Sequence, residues 1–131
     1  MEKINYSVTV QVVGGPSVPI AGVLEVDAYE KIDVAVPAKA GAVDGTAAVT
    51  VSAGDLAHTK LLVMRASTQD GSLKFQTTAA GAAAVPLTGP VTLIGGTACS
   101  LLGADPDTLT FTNSAAVAAG VTILVGRKAV G

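Results

Sequence analysis

The sequence predicts an all-β domain: an antiparallel β-sandwich or a jelly-roll-like barrel of about eight short strands. Three observations predict it. Apolar and polar residues alternate with a period of two along most of the chain, as in strands buried on one face. Turn signals built from Gly, Pro, Asn and Asp recur every ~8–12 residues. No stretch combines the length and the apolar stripe of an amphipathic helix.

Ile4, Tyr6, Val8, Val10 and Val12 alternate with Asn5, Ser7, Thr9 and Gln11, which predicts a first strand ended by Gly14-Gly15-Pro16 and Pro19. Between positions 23 and 36 the even residues are apolar (Leu24, Val26, Ala28, Ile32, Val34, Val36), apart from Glu30. The odd residues there include Glu25, Asp27, Tyr29, Lys31 and Asp33. Unbroken parity favours one long strand that bulges or bends near Glu30, with a turn at residues 29–31 as the alternative. After Pro37, a loop of small residues and the pair Asp44-Gly45 lead into a strand with Ala47, Val49 and Val51 inward and Thr50 and Ser52 outward.

Residues 54–58 read as a connection. Leu61, Leu62, Val63 and Met64 are apolar on both parities, so they predict a central strand covered on both sides. Asp70-Gly71 is the pair that type I′ turns prefer, and it predicts a hairpin to a return strand carrying Leu73, Phe75 and Thr77. The alanine-rich residues 79–84 are too short for a helix and read as a loop or strand edge. Short strands follow at residues 91–94 and 97–102, around Gly95-Gly96, and residues 103–107 turn into the last pair. Leu109, Phe111 and Asn113 alternate with Thr108, Thr110 and Thr112; Val121, Ile123 and Val125 alternate with Thr122 and Leu124. Joined by the small-residue loop 114–120, they predict a final antiparallel hairpin. Strand order is not written in local pattern, so sandwich and jelly roll both stay open.

At 131 residues, with no linker, the chain is one domain, residues 1–131. Half of it is hydrophobic but 3% is aromatic and Trp is absent, so Val, Ala, Leu and Ile must fill the core. Charged residues make up 14% against ~25% in an ordinary domain, a depletion typical of interface centres. Basic residues are scattered from Lys3 to Lys128 and form no stripe, which argues against nucleic-acid binding. The lone Cys99, between Ala98 and Ser100, reads as a small buried hydrophobe, and no internal disulfide is possible. The first residues lack the apolar core of a signal peptide. Residues 75–104 carry no charge, yet Pro86, Pro90 and repeated Gly and Thr interrupt them, so no membrane span is expected.

Chemistry is sparse. His58 follows Asp55 by three positions, the spacing of a base and its orienter, but no Gly-x-Ser-x-Gly elbow accompanies them. One His and one Cys at no ligand spacing do not make a zinc site. Glu25, Asp27 and Asp33 would share one strand face with neighbours ~7 Å apart, room enough for an inverting glycosidase pair or a calcium ion. Without a Trp platform, a solvated acidic face that discourages edge pairing is the better reading. Arg65 and Arg127 end apolar strands, where they would snorkel or reach across to another subunit. No catalytic, cofactor-binding or metal-binding residue is assigned, no cofactor is expected, and the chain is not expected to be an enzyme.

Residues 87–127, LTGPVTLIGGTACSLLGADPDTLTFTNSAAVAAGVTILVGR, resemble the accessory virion proteins of tailed bacteriophages, the capsid decoration or cement proteins. The likeness lies in Ala/Gly/Thr/Val-rich strands with few charges. It implies a β-rich, non-enzymatic structural protein, often trimeric, clamped over the junctions of a major capsid protein lattice. The place implied is the capsid surface of the virion, and the host cytoplasm during assembly. A receptor- or carbohydrate-binding β-domain of a phage tail tip or fibre is the alternative. Self-association, as a homotrimer, is expected to run through residues 75–104, since monomers rarely expose apolar patches beyond a few hundred Å².

Overall fold

The computed structural model describes residues 2–50, 58–77, 83–100 and 108–128. Alternation becomes strand along most of them: β1 (Glu2–Gln11), β2 (Ser17–Val26), β3 (Ala28–Val36), β4 (Gly45–Thr50), β5 (Thr59–Ala66), β6 (Leu73–Thr77), β7 (Val85–Pro86), β8 (Val91–Ile94), β9 (Thr108–Asn113) and β10 (Ala119–Arg127). A single helical turn, α1 (Gly96–Ser100), follows β8. β1 and β2 form a ribbon of their own; the other strands make two four-stranded antiparallel sheets.

Sheet one has the order β3-β10-β5-β8 and sheet two the order β4-β9-β6-β7. The pairs nest: β3 with β10, β4 with β9, β5 with β8, and β6 with β7. A long hairpin folded over on itself gives this arrangement, and two further ladders, β10–β5 and β9–β6, close it. This is the strand order of a jelly roll.

The core fills the space between the sheets. Val36, Leu62, Met64, Val121, Ile123 and Val125 come from sheet one; Leu73, Phe75, Leu109 and Phe111 come from sheet two. The inward-facing parity of each strand is the one its sequence alternation selects. Leu61, on the opposite parity of β5, is also buried at 2% exposure, whereas Val63 is half-buried and Arg65 exposed, so the second face of β5 is covered at Leu61 and opens beyond it.

Several predicted connections are corrected. β9 and β10 do not form a hairpin, nor do β5 and β6: in each case the two strands lie in different sheets. Their links arch across the sandwich so that apolar faces of consecutive strands meet in one core. In the first arch Asn113 is fully buried and acts as the pin. Its Nδ2 donates to Val117 O (2.9 Å) and to Pro37 O (3.3 Å), and its Oδ1 accepts from Ala115 N (2.9 Å). In the second arch the Asp70 carboxylate accepts from Ser72 N at 2.9 Å and Ser72 Oγ at 2.6 Å, and Gly71 takes φ 91°. Asp70-Gly71 therefore makes a turn, but one that leaves its sheet.

Residues 97–100, expected as strand, belong to α1, whose turn is closed by Cys99 N donating to Gly95 O (3.1 Å). Residues 101 and 102 of that expected strand, the turn at 103–107, Val51, Ser52 and residues 54–57 lie outside the described residues, as do 79–82 of the alanine-rich stretch. β2 begins at Ser17, although Pro16 and Pro19 had suggested a break. Pro19 is tolerated because β2, among the described residues, has no partner strand on its other side, where a missing N–H disturbs no ladder. The bulge or turn expected near Glu30 is corrected: residues 28–36 run in regular register against β10, and the break falls at Asp27, between β2 and β3.

Phe111→Ala should cost about 3–5 kcal/mol by cavity formation, and Asn113→Ala roughly 2–4 kcal/mol because buried groups lose their partners, both read from equilibrium urea unfolding. Hydrogen bonds, chiefly from Ser72, hold the Asp70 carboxyl below its ordinary 3.8. That interaction stabilises the fold above pH 3.8 and is lost as pH falls through the lower folded-state value. Asp70→Asn should therefore flatten the acid limb of a stability–pH curve; unchanged slopes would refute the role.

Candidate interaction surface

The candidate carboxylates are not brought together. Glu25 lies on the β1–β2 ribbon opposite Lys3, Asp27 at the bend, and Asp33 on the outer face of β3. Asp33 accepts from Thr122 Oγ1 at 2.9 Å and sits 3.5 Å from Lys31 Nζ; the Thr122 bond first, and Lys31 second, hold its carboxyl below the ordinary range. It borders an open groove of about 300 Å³ between β3 and β10, lined also by Val34, Ala35, Gly120, Val121 and Thr122. Asp33 and Thr122 are the two polar side chains of that lining, and the Thr122 hydroxyl is spent on the Asp33 carboxylate.

His58 is half-buried in the turn before β5, where its carbonyl accepts from Lys128 N (2.8 Å); Asp55 lies outside the described residues. Cys99 is buried and its Sγ donates to Leu93 O (3.7 Å). Desolvation pushes the thiol pKa up, away from a reactive thiolate. Arg65 is exposed on β5 opposite Thr122, while Arg127 is half-buried and its Nη1 has no hydrogen-bond partner among the described residues. The described residues contain no group of three His, Cys, Asp or Glu placed to hold a metal, and no helix long and apolar enough to cross a membrane.

What the fold does create is an arm. β1 and β2 pair over their full length, from Glu2↔Val26 to Gln11↔Ser17. Paired residues point to the same side, so one face reads Ile4/Leu24, Tyr6/Gly22, Val8/Ile20 and Val10/Val18. The other reads Lys3/Glu25, Asn5/Val23, Ser7/Ala21, Thr9/Pro19 and Gln11/Ser17. No charge occurs from Ile4 to Leu24. Burial decays outward: Val26 is fully buried, Ile4, Tyr6, Val8 and Leu24 are half-buried, and Ile20, Val18 and Val10 are 50%, 58% and 62% exposed. At the tip Val13 is fully exposed. β1 packs chiefly along β2, and among the described residues it pairs with no strand of the sandwich.

The arm is seated at its root by Gly126. β10 alternation turns Val125 into the core and Gly126 away from it, where the root lies. A Cβ on Gly126 would stand 3.1 Å from Val26 Cγ1, 3.2 Å from Ile4 Cδ1 and 3.3 Å from Leu61 Cβ. The absent side chain is the socket. Asp27 N donating to Arg127 O (2.9 Å) fixes the bend beside it.

A second surface shares the arm's lack of charge. β8 is an outer strand of sheet one and β7 an outer strand of sheet two, and both fall within the charge-free residues 75–104. Val85 is 47% exposed there, and Thr92 is exposed. The opposite strands, β3 and β4, border Lys31, Asp33 and the Lys39–Asp44 ion pair (3.9 Å). Sequence reasoning found the second surface but missed the arm as an arm. The signal was present in the matched apolar parity of residues 4–10 and 18–24, and Pro19 obscured it.

Comparison with family models, with curated proteins and with solved structures finds no match to this chain.

Gly126→Leu should unseat the arm while sparing the sandwich. Hydrogen exchange in residues 2–26 is expected to rise by at least tenfold, with core amides of β5 and β10 still protected. Unchanged exchange in the arm would show that its root is held elsewhere.

Proposed function

We propose that this chain is a non-enzymatic structural subunit that binds and reinforces the outer surface of a tailed-phage capsid. The observation that carries this reading is the projecting arm with its uncharged, mostly apolar face. A two-stranded ribbon is marginally stable by itself in water, and exposed apolar side chains on it gain free energy only when another surface covers them. Such a design suits a protein whose work is done in an assembly.

The sandwich is consistent with that role. Jelly rolls recur in capsid proteins, a fold-level analogy that supports a structural subunit without naming one. Two four-stranded sheets packed face to face make a stiff platform, and a lattice protein needs complementary faces more than it needs a pocket. The low charge fits a surface largely covered by neighbours. The capsid surface of the virion is the location this reading assigns, with the host cytoplasm as the place of assembly.

Purified chain mixed with undecorated phage heads should bind at fixed stoichiometry and raise the temperature at which the heads lose their DNA. Absence of saturable binding, together with recognition of defined sugars on a glycan array, would overturn this reading in favour of a tail-tip or fibre module.

A further inference from the structure

We propose that the apolar face of the β1–β2 arm docks on the β7/β8 flank of a second copy of this chain. The proposal rests on the reading of the chain as an assembly subunit and names the surfaces that meet. The arm's face presents Val8, Val10, Val18 and Ile20, and its chain carries no charge from Ile4 to Leu24. The flank lies in the other long charge-free stretch, residues 75–104.

Charge selects the occupant. Laid over β3 and β4, the arm would strip water from Lys31, Asp33 and the Lys39–Asp44 pair and return no hydrogen bonds from its apolar face. Laid over β7 and β8, it meets Val85, Val91 and Thr92 and borders two cations, Lys74 opposite Pro86 and Lys60 beside Gly96, in place of the four charges along β3 and β4. Backbone chemistry agrees. β1 is paired on one side by β2 and β8 on one side by β5, and among the described residues neither has a strand partner on its other side. β1 contains no Pro and, beyond Lys3, no charge, the devices that usually blunt an exposed edge. An edge of this kind is suited to adding a strand to a neighbour's sheet.

Topology separates donor from receiver. The arm continues into β3, at one edge of sheet one, whereas β8 lies at the other edge. Arm and flank are therefore different patches, and the contact closes either as a reciprocal exchange of arms about a two-fold axis or as a cyclic ring.

The test uses the full chain in a Cys99→Ala background. Val10→Cys and Thr92→Cys variants, mixed in equal amounts and treated with a short bismaleimide, should give a two-chain species containing one of each. Neither variant alone should cross-link efficiently. Failure of the mixed cross-link, or a dominant Val10→Cys homodimer, overturns the arm-to-flank contact. By light scattering the wild type should exceed 12.8 kDa at tens of micromolar, while Ile20→Asp and Thr92→Asp should each return a folded 12.8 kDa monomer. Thr9→Asp, on the arm's polar face, should leave the mass unchanged; a monomeric wild type overturns the proposal. Head binding is measured separately. A monomer that still decorates heads removes this contact and keeps the functional reading, and an oligomer that ignores heads does the reverse.

Discussion

The structure depends on β10. It pairs with β3 through nine positions and with β5 along most of its length, so one strand holds the middle of sheet one together. Its inward residues Val121, Ile123 and Val125 are each 2% exposed or less and lie in the central cluster. Its outward residues hold two peripheral features: Thr122 donates to Asp33, and Gly126 receives the arm. Asp33 and Thr122 are 89 positions apart in sequence, so this strand finds its place only after most of the chain has been gathered. Local patterning makes β10 a strand; the closing of the sheets gives it its neighbours.

Around that strand the molecule divides into a finished part and an unfinished one. The sandwich buries its apolar faces on itself, with small β-branched and aliphatic side chains that let two sheets approach closely. The arm buries its root and leaves its outer half in water. Val10, Val18 and Ile20 on that outer half gain free energy only where another surface covers them.

Most of the strand content was legible in the sequence because period-two alternation reports directly on a half-buried strand. Leu109, Phe111 and Asn113 face inward as the alternation of residues 108–113 indicates, and Leu61–Met64 form a strand whose second face is covered at Leu61. Pairing was less legible. Alternation says which way a side chain faces but not whether the next strand lies beside it or across the core, so residues 108–113 and 121–125 read as a hairpin when they form an arch. Asn113 carries the missing information, but a buried asparagine that pins an arch looks in sequence like any polar residue at a strand end. Pro19 misled for a related reason: a proline is incompatible with a paired edge and harmless on a free one, and which edge is free is a property of the whole sheet. The interaction surface was half visible. Absence of charge marks residues 75–104, whereas the arm's face emerges when residues 4–10 are laid against residues 18–24.

The bend at Asp27 has a mechanical consequence. Because β2 runs directly into β3, tension applied to the arm is delivered lengthwise along the β3–β10 ladder. A ladder pulled lengthwise resists as a unit, since its hydrogen bonds must yield together; one peeled from the end gives way bond by bond. The chain that projects from the body is thus anchored in the direction in which a sheet is strongest. A subunit joined to its surroundings through such a tether could carry load without unfolding from its edge.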